Sequence, residues 1–438
     1  MKTRTIVEYL VAAIIVMILG GLAGWYFFLR TQTETTIAQN IARGFGIAIP
    51  EGNPNGSISN ASPNTETSAT PAQPVQRPAQ LWRVEARPTA GQLFIGSGKN
   101  LRLRYVERAS GYVLEANPET GQIIRLTNTL MPKIYEALLS ENGHVFERSL
   151  DTAGNISTFA GTISTSTDES GTSSSTKALV GLSLPKNILS VSANPLSGAL
   201  LYVTRDSAGS VAASAEWNGE KQKVLFASTL VSWRPSILED GRTFLVQAAA
   251  DGVPGYGYEL KSTGALNLLL GPIPGLVVRI RSSSTTTPEN ALLWSQSSRG
   301  ELRLFSRVGE DTTAMQIPVR TIADKCAWVP DPVRGATKGV NASGSEASNG
   351  ARKDLVAYCG VPQGSTGQNF IDNWYRGATH SSDALWRIDA SAGTAELIYT
   401  PSSNTPVDIE NIAVDRGGNY ITFMNAADKS LWLLRLKQ

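Results

Sequence analysis

Residues 231–270 read VSWRPSILEDGRTFLVQAAADGVPGYGYELKSTGALNLLL, and their pattern decides the fold. Four short runs carry apolar side chains at period two: Val231–Ile237, Thr243–Ala249, Gly257–Lys261 and Ala265–Leu270. That alternation is the signature of half-buried strands. Turn residues such as Asp240-Gly241 punctuate the runs. The same unit of four runs returns at Leu276–Arg281, Ala291–Gln296, Glu301–Arg307 and Met315–Val319. Further copies fit 91–129, 133–183, 187–229, 325–399 and 407–438, about seven in all. Long helical periodicity is absent from this part of the chain.

Recurrence every 40–50 residues points to propellers or arrays. The ends favour a propeller. The last copy stops after its third strand, SLWLLRL (430–436), and the first copy has a spare strand ahead of it, LWRVEA (81–86). If that strand completes the last blade, the ring closes and no long sheet edge stays open. The expected fold is all-β: a β-propeller of seven four-stranded blades over 81–438, closed by its N-terminal strand. A two-sheet sandwich array is the alternative.

The block Ala413-Val414-Asp415-Arg416-Gly417-Gly418-Asn419-Tyr420-Ile421-Thr422-Phe423, followed by Lys429-Ser430-Leu431-Trp432-Leu433-Leu434, resembles the repeat of TolB-like and WD-type propellers. Weaker echoes lie at 194–205, 237–248 and 385–399. The phrases around Cys326-Ala327-Trp328, Tyr358-Cys359, Asn373-Trp374-Tyr375 and Ala384–Asp389 are similar to uncharacterised, single-pass, membrane-anchored bacterial propeller proteins. The resemblance covers most of 81–438 and implies a fold, since propellers host many unrelated activities.

Ahead of the repeats, Tyr9 to Leu29 reads YLVAAIIVMILGGLAGWYFFL without a charge. As a helix it rises about 31 Å, which matches a hydrocarbon layer of about 30 Å. Tyr9, Trp25 and Tyr26 stand at the levels that amphipathic rings prefer, and Lys2 and Arg4 precede the span. The expectation is a signal anchor through the lipid bilayer at 9–29, with residues 1–8 in the cytoplasm and the C-terminal domain extracytoplasmic. A cleaved signal peptide is the competing reading, with Gly21 and Ala23 as a weak small-residue site. Residues 30–80 are rich in Pro, Ser, Thr, Asn and Gln and read as a disordered linker.

Composition excludes several classes. The 438 residues carry 17% charged side chains and a net charge of +2, without the basic excess of a nucleic-acid binder. Two histidines and two cysteines argue against zinc sites and most histidine-based catalysis. Neither a metal nor a cofactor is expected. Gly96-Ser97-Gly98-Lys99 resembles the end of a phosphate loop, but Leu93 and Asn100 replace the required glycine and hydroxyl. It reads as a turn. No nucleophile elbow or H-E-x-x-H motif is present, so no catalytic residue is assigned.

Cys326 and Cys359 fall in the first two strands of the sixth copy. If these strands pair as a hairpin with Trp328 opposite Ala357, Cys326 stands opposite Cys359, within disulfide reach. Two buried free thiols are the alternative. Three insertions interrupt the turns, at 160–176, 331–354 and 360–383. The last carries Phe370, Trp374, Tyr375, Arg376 and His380 and lies on the face that also bears the blade-to-blade loops. Such loops concentrate function, and Trp, Tyr and Arg anchor interfaces. These five are the candidate binding residues. The bland reading has Phe370 and Trp374 packing the loop, with Tyr375 and Arg376 as ordinary surface.

The function expected is a non-enzymatic scaffold that binds a protein or cell-envelope partner on the loop-bearing face. The alternatives are an envelope glycan hydrolase or lyase with carboxylates in the central channel, and a structural subunit of an envelope machine. Carboxylates and arginines at the channel mouth would favour the enzyme; an apolar or featureless channel would favour the scaffold.

Overall fold

The structure is a computed structural model and describes residues 78–164, 177–281, 291–309, 313–331 and 355–436. The anchor at 9–29, nearly all of the linker, most of the first insertion and nearly all of the second lie outside these residues. Among the described residues no helix is long and apolar enough to cross a membrane.

Among the described residues, twenty-eight strands, β1 to β28 in chain order, form seven antiparallel four-stranded sheets. Each sheet is one blade. The first strand of each blade lies innermost: β2 (Thr89–Ile95), β6 (Ile134–Leu139), β10 (Ile188–Ala193), β14 (Trp233–Ile237), β18 (Val277–Ile280), β22 (Cys326–Trp328) and β26 (Ile409–Val414). Blade seven orders as β26, β27 (Tyr420–Asn425), β28 (Leu431–Arg435) and β1 (Leu81–Glu85). The spare N-terminal strand therefore closes the ring as expected, with Leu81 opposite Leu434 and Trp82 opposite Leu433.

Period-two patterning places one apolar face of each blade against the next blade. A distinct core fills every interface around the circle. Val106 and Val113 of blade one meet Ile134 and Val145 of blade two. Leu201 and Val203 of blade three meet Trp233 and Leu245 of blade four. Val84 and Leu433 of blade seven meet Leu103 and Tyr105 of blade one, which completes the circuit. This closed series of interfaces excludes the two-sheet array.

Cys326 and Cys359 form a disulfide, with Cα atoms 4.0 Å apart. The register is the one expected: Cys326 opposite Cys359, Ala327 opposite Tyr358 and Trp328 opposite Ala357. The first insertion departs from expectation at its start. Residues 160–164 are not loop but the end of strand β8 (Ile156–Ser164), because Gly161 and Thr162 keep pairing with β7 (His144–Leu150).

Candidate functional site

In a propeller the loops between second and third strands share one face with the connections between blades. That face is the mouth here; the turns between first and second strands lie at the base. A central cavity of about 530 Å³ is lined by the inner strands and reaches the mouth. At the base, Arg416 in the first turn of blade seven donates to Glu141 at 2.8 Å and to Glu239 at 3.0 and 3.1 Å. It also donates to the Asp331 carbonyl at 3.3 Å. These partners belong to the corresponding turns of blades two, four and six. A guanidinium that touches all of them stands near the axis, so the cavity is a cup. Glu239 stands beside the turn residues Asp240-Gly241. Arg416, remote in sequence, is what engages it.

The third insertion joins β23 (Val356–Pro362) to β24 (Asp383–Asp389) and roofs the mouth. It contains a short helix, α1 (Phe370–Tyr375), where the sequence offered only a loop. Six residues are too few for helical periodicity to show. Phe370 and Ile371 are buried against Leu302 and Ile322, which seats α1 on blade five. Gly275 makes this approach possible: its φ is +61°, and a Cβ there would lie 2.9 Å from Ile371 Cδ1. The Asp372 amide donates to Asp251 Oδ2 and the Asp251 amide to Asp372 Oδ1, both at 3.2 Å, so α1 also reaches blade four.

Trp374 and Tyr375 end in two charged clusters. The Trp374 indole N–H donates to both oxygens of Asp408, at 2.9 and 3.1 Å. His380 Nδ1 lies 2.9 Å from Asp408 Oδ2, and Ser381 donates to Oδ1 at 3.1 Å. Fully buried Lys325 donates to Asp408, to Asp383 at 2.6 Å, to Ser381 at 3.0 Å and to the Ile409 carbonyl at 3.2 Å. Its ammonium stands 4.7 Å from the Trp374 ring centroid. Burial alone would raise Asp408, but the His380 hydrogen bond and the Lys325 charge hold it far below the usual carboxylate range. Burial pushes Asp383 up, and the neighbouring Asp408 charge adds to this against the pull of Lys325. Burial opposes the Lys325 ammonium, yet the two aspartates outweigh it and raise its pKa.

Tyr375 belongs to the other cluster. Its hydroxyl donates to Asp324 Oδ2 at 2.5 Å and accepts from Arg234 Nη1 at 2.9 Å. Arg234 also donates to Asp324 at 2.9 Å and lies 4.5 Å from the Tyr375 ring centroid. Arg279 approaches Asp324 Oδ1 at 3.5 Å. Burial opposes the charge of Asp324, but Arg234 and Arg279 hold it at about 2. Burial first, then the Asp324 charge, drives the Tyr375 phenol far above its ordinary value.

Of the five sequence candidates, Trp374, Tyr375 and His380 line the cavity together. Phe370 is buried beneath them, and Arg376 is exposed outside the cavity wall. Tyr375 is not ordinary surface. Arg234, Arg279, Asp324, Lys325 and Asp408, which complete the two clusters, were not among the sequence candidates. One signal was present: Asp324-Lys325 and Asp408 stand just ahead of inner strands, where charge is out of place beside a core.

The mouth therefore carries carboxylates and arginines, the feature set down as favouring an enzyme. Each acid there is engaged: Asp324 by Arg234 and Tyr375, Asp408 by Lys325, Trp374 and His380, and Glu410 by Lys429 at 2.8 Å to both oxygens.

No family model matches the chain, and no curated protein matches it. Among solved structures it resembles virginiamycin B lyase from Staphylococcus aureus at 14% identity and a TM-score of 0.46, over 82% of this chain and 99% of that one. It resembles an uncharacterised protein from Listeria monocytogenes at 14% identity and a TM-score of 0.45, over 82% and 97% of the two chains. An auxiliary nutrient binding protein from Bacteroides ovatus matches at 9% identity and a TM-score of 0.41, over 81% and 70%. Likeness at this level carries nothing about activity, and the seven-bladed assignment rests on the sheet order and the inter-blade cores.

Proposed function

We propose that the chain is a membrane-tethered, extracytoplasmic propeller that serves as a non-enzymatic scaffold, binding a protein or cell-envelope component at its mouth. The observation that carries this reading is the roofed cup itself. Groups from blades four to seven converge on one open cavity, held by paired charges rather than by reactive, unengaged acids. The uncharged run at 9–29 supplies the tether, and the linker to residue 80 supplies reach. The TolB-like reading of the repeat has support in the turn after β26, where Asp415 accepts from the amides of Gly417, Asn419 and Tyr420 at 2.6–2.9 Å.

A photo-crosslinking residue at Arg376 in the full chain, expressed in membranes, tests the reading. Glu220 in a base-face turn is the control. A specific adduct from position 376 alone is expected; equal labelling at both positions, or none at either, overturns the mouth as the binding surface. Labelling of exposed Lys221 by an impermeant reagent in intact spheroplasts tests the topology, and a protected lysine rejects it.

The envelope enzyme is the second reading, and one arrangement favours it. Asp408 engages His380 through Nδ1, and Nε2 of this cavity-lining imidazole has no hydrogen-bond partner among the described residues. Turnover of an envelope glycan that His380→Gln abolishes, with binding retained, would replace the scaffold reading.

A further inference from the structure

The charges in the cup are unevenly matched. On the wall formed by blades one, two and seven, Lys429 is clasped by both oxygens of Glu410, and Arg108 donates to the Thr89 carbonyl at 2.9 Å. On the opposite wall Arg234 and Arg279 project from adjacent inner strands and share one carboxylate, Asp324. Two cations against one anion leave that wall one positive charge in excess.

Arg279 is the less committed of the pair. Its contacts with Asp324 are long, at 3.3 Å to the carbonyl and 3.5 Å to Oδ1. Its Nε is buried with no hydrogen-bond partner among the described residues, while 41% of its side chain is exposed. Asp324 Oδ2 is taken by the Tyr375 hydroxyl and Arg234, and Oδ1 lies 3.5 Å from Arg279, beyond a close ion-pair contact. The backbone beneath is fixed, since the Trp328 indole donates to the Arg279 carbonyl at 3.2 Å. A planar guanidinium with spare donors, held at the wall of a cavity, matches the fork of an oxyanion.

We propose that the cup binds an anionic ligand, with a carboxylate or phosphate group seated on Arg279 beside Arg234. This rests on the reading of the mouth as a binding site and gives that site its ligand class. The anion supplies acceptors for the exposed part of the Arg279 guanidinium and neutralises the excess charge of the wall. Asp324 and Tyr375 keep Arg234 in place, so the seat exists before the ligand arrives.

The experiment is a calorimetric titration of the full chain with three probes: inorganic phosphate, galacturonate and neutral galactose. Saturable binding of phosphate, galacturonate or both is expected, with none for galactose. Phosphate alone marks a phosphate-bearing ligand, and galacturonate alone a carboxylated one; either supports the seat. Arg279→Gln should weaken binding about tenfold or more. Asp324→Asn keeps an oxygen acceptor for Arg234 and the Tyr375 hydroxyl, so the seat stays in place, but removes the competing negative charge and should strengthen binding. Opposite signs from neighbouring substitutions cannot arise from a general loss of fold. Glu220→Gln, on the base face, should change nothing. Absence of binding by both anions, or unchanged affinity in Arg279→Gln, overturns the proposal. Those results with mouth-specific crosslinking from position 376 intact would reject the ligand class alone; loss of the crosslink would reject the mouth.

Discussion

Trp374 and Asp408 are joined by a bifurcated, three-centred hydrogen bond: one indole N–H shared between both carboxylate oxygens, at 2.9 and 3.1 Å. It links the roof to the head of the inner strand of blade seven. Trp374→Phe keeps an aromatic ring near Lys325 while deleting the donor and the pyrrole ring that carries it. The loss should be about 1–3 kcal/mol, the range for a bond to a charged acceptor. Denaturant unfolding checks the magnitude, and limited proteolysis should cut within 363–382 sooner. Unchanged stability and unchanged cleavage would show that the bond does not hold the roof.

Among the described residues, Lys325 is the lysine that donates to both Asp383 and Asp408. Lys325→Met leaves two buried acids facing each other. Breaking a buried ion pair by removing one partner costs about 3–5 kcal/mol. The loss should shrink when Asp383→Asn is added, because one of the repelling carboxylates is gone. A thermal melt of the single and double variants measures this, and a double variant no better than the single one would contradict it.

Glu147 on β7 is buried, and neither of its carboxylate oxygens has a hydrogen-bond partner among the described residues. Burial pushes its pKa up to about 8 from an ordinary 4.5. The folded protein thus keeps a proton that the unfolded chain releases, and stability falls as pH rises from about 4.5 to about 8. At about 1.4 kcal/mol per pH unit, the whole window amounts to roughly 5 kcal/mol at most. Glu147→Gln should remove this slope, leaving stability near pH 5 unchanged and raising it near pH 8. Urea unfolding at the two pH values reads the difference directly.

The disulfide closes a segment of sequence separation 33. Loop-closure entropy for that length gives about 3–4 kcal/mol of stabilisation. Reduction, or the paired change Cys326→Ser and Cys359→Ser, should lower the denaturation midpoint accordingly without unfolding the ring. Intact mass with and without reductant confirms the bond in exported protein, where an unbridged pair would remove it from the account.

The fold was legible because its signals are local. The alternation in ELRLFSR, the spare strand LWRVEA and the hairpin register of Cys326 with Cys359 need only short stretches of chain. The aromatic loop was legible for the same reason. Its meaning was not, since Tyr375 meets Arg234 across 141 residues and Trp374 meets Asp408 across 34. Nothing in the spacing of the fourth and sixth copies says that an insertion in one will reach over the blade between them to the other. Helix α1 was missed for a different reason: buried Phe370 and Ile371 stabilise it through tertiary packing, not through propensity.

Blade seven holds both ends of the folded ring. Arg435 takes the Gln80 carbonyl through its amide at 2.9 Å and the Pro78 carbonyl through its guanidinium at 3.2 Å. Any pull on the chain ahead of residue 78 is borne first by these contacts and the β1–β28 ladder, and only then by the other blades. Mechanical failure begins there: β1 strips away from β28, and Val84 leaves the core it shares with blade one. In single-molecule extension from the two termini, a small early yield should precede rupture of the remaining six blades.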